Sequence, residues 1–124
     1  MAKTVRYKTD DSGTAAVEFA LVLPMFLTLL IGGFFCAFLL FTAGGLHYAV
    51  ERAARCARVQ TSVCTNPTAT QNYAQSQFSG YAVTPVFVAT STACGQQVSG
   101  SATFAMNIFV RTITIPLTAT ACYP

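Results

Sequence analysis

The sequence predicts an α+β protein: a long N-terminal helix that first crosses a membrane and then turns amphipathic, one short helix, and a small three-stranded antiparallel sheet packed on the long helix. Three observations carry this prediction. No Asp, Glu, Lys or Arg occurs between Phe19 and Leu46. From Tyr48 to Gln60 the apolar residues recur at helical spacing, and after Gly80 the period falls to two.

The chain has 124 residues, enough for one domain and not comfortably for two. Only 9% of residues are charged, against about a quarter in an ordinary soluble protein. The mean hydropathy is +0.52, and the deficit of charge is concentrated in residues 19–46. A net charge of +3 with scattered arginines excludes a nucleic-acid partner, which demands a clustered basic face.

Residues 1–12 are short, polar and mixed in charge, and residues 1–13 read as a cytoplasmic leader with nothing apolar to pack. The long helix is expected over 14–60, with its membrane span at 19–46. That run of about 28 residues extends about 42 Å, where about 20 apolar residues suffice to cross hydrocarbon. The h-region of a cleavable signal stops at about 15 residues, so the run reads as an anchor in the lipid bilayer. Pro24, Gly32-Gly33 and Gly44-Gly45 are the places where the helix can bend or admit a close neighbour. Beyond the span, Ala49, Val50, Ala53, Cys56 and Ala57 share one face. Glu51, Arg52, Arg55 and Arg58 share the other, with Glu51 and Arg55 at i,i+4 spacing.

Residues 61–124 are expected to form a small disulfide-linked α+β domain. Asn66-Pro67 reads as an N-cap followed by proline at the first helical position. Tyr73, Ala74, Gln77, Phe78 and Tyr81 share one face of the short helix, which ends at Gly80. Val83–Thr90 is β-rich, and Pro85 confines it to an edge or a strand start. Ser91–Gly95 is a turn. Val98, Gly100, Ala102, Phe104 and Met106 alternate with small or polar residues, as do Ile113, Ile115, Leu117, Ala119 and Ala121.

Of the five cysteines, Cys36 lies mid-span, where a thiol behaves as a small apolar group. The other four permit three pairings. In a meander the start of the second strand lies beside the end of the third, which selects Cys94–Cys122 and leaves Cys56–Cys64. Disulfides place this part in an oxidising compartment, a periplasm or the cell exterior. The basic flanks do not settle orientation, since Lys3, Arg6 and Lys8 face Arg52, Arg55 and Arg58 across the span. The cysteines settle it, with the N-terminus in the cytoplasm.

Signs of catalysis are lacking. His47 with Cys56 or Cys64 fits neither a zinc-finger spacing nor an HExxH helix. Glu51 is the only acid after Glu18, so no carboxylate pair exists for acid–base work. The sequence predicts no enzyme, no metal and no cofactor.

One residue is left without a structural reason. Glu18 stands at the mouth of the apolar run, and a carboxylate carried toward the bilayer centre costs about 2.5–3.5 kcal/mol on insertion scales. Gly13, four residues, Glu18, Phe19 and then a long apolar helix resembles the processing site of type IV pilin-like proteins. The longer stretch A-A-V-E-F-A-L-V-L-P at Ala15–Pro24, with E-R-A-A-R-C-A-R at Glu51–Arg58, resembles the TadE-like pseudopilins of the Tad (tight adherence) pilus system. Thr14 stands where many type IV pilins place Phe at the mature N-terminus.

The resemblance implies cleavage between Gly13 and Thr14 by a prepilin peptidase, and a pairing of Glu18 with the new amine of a neighbouring subunit. Such an amine is largely protonated near neutral pH, its reference pKa being about 7.7–8. Two unit charges about 4 Å apart attract by about 4 kcal/mol at an effective dielectric of about 20, before desolvation is deducted. The resemblance further implies a single-pass protein of the bacterial inner membrane that initiates, caps or primes a surface filament. Its implied partners are the peptidase, the inner-membrane platform, a sister minor pilin and the major pilin. A second reading of the same residues is a periplasmic binding module whose span is an uncleaved tether.

Overall fold

The computed structural model describes residues 11–81, 84–108 and 110–124, so most of the expected leader, with Lys3, Arg6 and Lys8, lies outside the described residues. The described chain divides between Phe35 and Cys36 into two units. Element order is α1 (Asp11–Val59), α2 (Pro67–Gln77), β1 (Val86–Thr92), β2 (Gly95–Ile108) and β3 (Arg111–Tyr123). The chain is thus a mixed α+β protein with a long apolar helix, a short helix and a three-stranded antiparallel sheet.

Helix α1 begins three residues before the expected Thr14. It runs through Pro24, whose missing N–H leaves one carbonyl of the preceding turn without its helical donor. Thr28 Oγ1 donates to the Pro24 carbonyl at 2.8 Å. The side chains from Gly13 to Phe34 are exposed but for the half-buried Leu23, as expected of a helix that is apolar all round. After α1 the chain turns tightly, with Gln60 N–H donating to Cys56 O and Cys64 N–H to Gln60 O.

The core of the Cys36–Pro124 unit grows from the amphipathic end of α1. Leu46, Ala49, Val50, Ala53 and Ala54 cluster with Ala74 of α2 and with Phe87, Val98, Ala102 and Ala119 of the sheet. Three alanines on this stretch of helix let neighbours approach closely, while Leu46, Val50, Val98 and Phe104 supply the bulk. Each such buried side chain contributes about 1.5–3 kcal/mol relative to exposure.

Helix α2 is capped as its sequence dictates. The Asn66 side-chain oxygen accepts from the Ala69 amide at 2.8 Å, with Pro67 at the first position. It stops at Gln77 rather than Gly80, because Phe78 adopts an extended conformation. The Phe78 ring meets Phe87 edge-on, with centroids 6.4 Å apart. Residues 78–81 then dock on α1. The Tyr81 amide donates to Thr42 Oγ1 at 3.2 Å, and the Tyr81 ring lies 5.1 Å from that of Phe38. At Gly45 the Ser79 carbonyl comes so near that a Cβ has no room. Tertiary docking overrides the helical periodicity that extends to Tyr81.

The sheet has the order β1-β2-β3. Strand β1 starts at Val86, after Pro85, and runs two residues past the expected Thr90; Val83 lies outside the described residues. The turn tightens to Ala93-Cys94, followed by Gly95 at φ +121°, a backbone region that side chains disfavour. Strand β3 is an edge, which tolerates Pro116 opposite Thr103.

Candidate functional site

Gly13, Thr14 and Glu18 all lie on α1 and all are exposed. Helical geometry places Thr14 and Glu18 four residues apart on one face, one turn of about 5.4 Å along the axis. In the intact chain the bond between Gly13 and Thr14 is thus inside the helix, in its first turn. Cutting there would make Thr14 the first residue and bring Glu18 within the first turns of the shortened helix. A carboxylate near a helix N-terminus is favoured by the unpaired amides and the helix dipole, by about 0.3–1 kcal/mol. The surroundings of Glu18 are apolar: Val17 is 61% exposed and Phe19 66%, and neither side chain offers a counter-charge.

The last turns of the expected 19–46 span carry protein on one face. Thr42 and Leu46 are buried, under Tyr81 and the Phe87–Gly100 corner of the sheet respectively. Nothing in the sequence distinguishes Thr42 from the other small residues of the span. Its hydroxyl also donates to the Phe38 carbonyl at 2.8 Å, so one oxygen serves both its own helix and the docked loop. Gly44 has open space around it, whereas Gly45 meets Ser79.

The four cysteines outside the apolar run form two bridges, Cys56–Cys64 and Cys94–Cys122, with Cα atoms 5.9 and 6.3 Å apart. Cys56 and Cys64 are buried, while Cys94 is exposed beside Thr92, whose Oγ1 lies 2.9 Å from the Cys94 sulfur. Cys36 is a free, exposed thiol. Arg52 Nε donates to the Tyr48 hydroxyl at 2.9 Å and its guanidinium lies 5.2 Å from that ring. This hydrogen bond holds the guanidinium above its ordinary pKa, so Arg52 is a permanent cation just beyond the apolar run. Glu51, Arg55 and His47 stay exposed on α1.

A shallow cleft of about 230 Å³ lies between the Cys64 loop, the start of α2 and β1, lined by Ala57, Thr61, Asn66, Thr70, Ser91 and Gln96. It is smaller than the roughly 300–1,000 Å³ of ordinary ligand pockets. Its groups are hydroxyls and amides, with no charge to anchor a ligand.

No curated protein and no solved structure matches the chain. From the glycine that opens the candidate site, through the apolar run, to the charged face that follows it, residues 13–55 match the family model of the TadE-like proteins, so about a third of the chain is similar to that family.

Proposed function

We propose that this chain is a minor pilin or pseudopilin acting in the assembly of a Tad-type pilus, as a subunit that initiates, caps or primes the filament. The TadE-like match suggests a role in that system. One observation carries the finer reading: the matched segment opens at Gly13, and an exposed Glu18 stands five residues later at the head of the charge-free helix. A prepilin peptidase cuts between Gly13 and Thr14. The amine so made on one subunit meets Glu18 of another, and the pair sets the register of neighbouring helices within the membrane.

Geometry adds a competitor to that pairing. After cleavage the Thr14 amine and Glu18 of the same chain stand at i,i+4 spacing, cation first, which is the weaker orientation for a helical pair. An intermolecular partner that approaches head-on has the advantage. The chain works by assembly rather than by catalysis, held in the inner membrane by its single span with residues 61–124 in the periplasm. The inner-membrane platform, a sister minor pilin and the major pilin are its partners. N-terminal sequencing of the membrane-extracted protein from cells with an active peptidase tests this. Thr14 as first residue supports it, and Met1 or Ala2 turns the reading to a tethered module.

A further inference from the structure

The charged face of α1 carries cations that the Cys36–Pro124 unit does not answer. From Cys36 onward the sequence holds four arginines and one acid, Glu51. Helical spacing sets Glu51 and Arg55 for an i,i+4 pair, yet among the described residues Arg52 and Arg55 make no ion pair. These two arginines stand at i,i+3, where side chains are neighbours and like charges repel.

Both arginines line one cleft of about 170 Å³, with Cys56, Val59 and Gln60 of the same helix and Tyr73 of α2. Its frame is fixed on both sides: Cys56 is bonded to Cys64, and Tyr73 packs against the core cluster. Arg52 is held in place as well. Its Nε donates to the Tyr48 hydroxyl at 2.9 Å, which leaves the two terminal nitrogens, a fork that suits a carboxylate or a phosphate. The cleft is smaller than the roughly 300–1,000 Å³ of a small-molecule pocket. It therefore takes a single charged group presented by something larger.

Position along one helix narrows the source of that group. Arg52 to Gln60 lie six to fourteen residues beyond Leu46, about 9–21 Å at about 1.5 Å per residue. A headgroup layer is about 5–7.5 Å deep. Even with hydrocarbon reaching as far as Leu46, a lipid phosphate falls short of most of the cleft. A second copy of this chain brings the same excess of cations. We propose that the cleft is a docking site for a carboxylate on an acidic segment of another protein, gripped by Arg52 and Arg55. Such docking goes beyond the assembly role above and is independent of cleavage at Gly13.

The test follows the guanidinium Nε–H signals of the isotope-labelled full chain by NMR in uncharged detergent micelles. The probe is a capped tetrapeptide of glutamates, and the control is the same peptide of glutamines. The expected result is a saturable shift of the Arg52 and Arg55 signals with the glutamate peptide alone, while Arg111 stays still. Arg52→Gln should weaken binding several-fold with the unfolding midpoint unchanged. Tyr48→Phe keeps the net charge but releases Arg52, and should also weaken binding. Equal shifts at Arg52, Arg55 and Arg111, or undiminished affinity in Tyr48→Phe, overturn the site in favour of bulk charge attraction. Shifts of the two signals with phosphatidylglycerol added to the micelles, but not with the glutamate peptide, overturn it in favour of a lipid phosphate. Each of these outcomes leaves the cut at Gly13 untouched, since N-terminal sequencing reads that separately.

Discussion

The Tyr81 amide and the Thr42 hydroxyl, 39 residues apart in sequence, are joined by a hydrogen bond of 3.2 Å that ties the segment after α2 to α1. Thr42 is fully buried, so water cannot replace it as acceptor. Thr42→Val keeps the shape, removes the acceptor and strands a backbone N–H, at a cost of about 1–3 kcal/mol. Urea unfolding of the detergent-solubilised protein should show that loss, and an unchanged midpoint means the loop does not depend on this bond.

Two adjacent glycines should behave oppositely. Gly44→Ala adds a methyl into open space and gains helix propensity, so stability holds or rises by up to about 1 kcal/mol. Gly45→Ala gains the same propensity but drives Cβ into the Ser79 carbonyl, which is backbone and cannot rotate away. That variant should lose stability overall, and equal melting temperatures for the pair would show that the loop does not lie where it is described.

The two bridges differ in loop length and in cover. The Cys94–Cys122 loop spans 28 residues and the Cys56–Cys64 loop eight. Loop-closure entropy then assigns about 3.5 kcal/mol to the longer and about 2.5 to the shorter. Cys94→Ser with Cys122→Ser should therefore destabilise more than Cys56→Ser with Cys64→Ser. Limited reduction followed by alkylation and mass mapping should open the exposed Cys94 bridge before the buried Cys56 bridge.

Glu18→Ala and Glu18→Gln test the charge role proposed for the residue at the mouth of the apolar run. Both should be processed after Gly13 and both should fail to support piliation, because neither can answer an amine with a full negative charge. Normal filaments from the Gln variant would leave hydrogen bonding, and not charge, as the role of that position.

Asn66→Ala removes the side-chain acceptor for the Ala69 amide. The change should lower stability by about 1 kcal/mol, as read by the unfolding midpoint. Aspartate at the same position should restore it.

The fold was legible where a single physical period ran uninterrupted. A charge-free run from Phe19 to Leu46 admits little but a helix, Asn66-Pro67 states its own capping chemistry, and alternation through Phe104 and Ile115 marks strands that pair in sequence order. Legibility failed where distant segments meet. Phe78 and Tyr81 continue the periodicity of α2, yet they leave it because Phe87, Phe38 and Thr42 offer better contacts. No local pattern separates Gly45 from Gly44, since the difference is made by Ser79. Of the candidate site, spacing and resemblance single out Gly13, Thr14 and Glu18, and the matched segment opens at Gly13. The docked end of the apolar run was not legible, because Thr42 is an ordinary small residue until Tyr81 arrives.

The bridge at the end of α1 has a mechanical consequence. Cys56 sits one turn from the helix terminus and is bonded to Cys64, so a pull transmitted along α1 reaches the rest of the chain through sulfur and bypasses residues 57–63. Those residues bear none of the tension, which enters the helix at Cys56. The turns inside that closed loop stay free of load until the sulfur–sulfur bond itself is reduced.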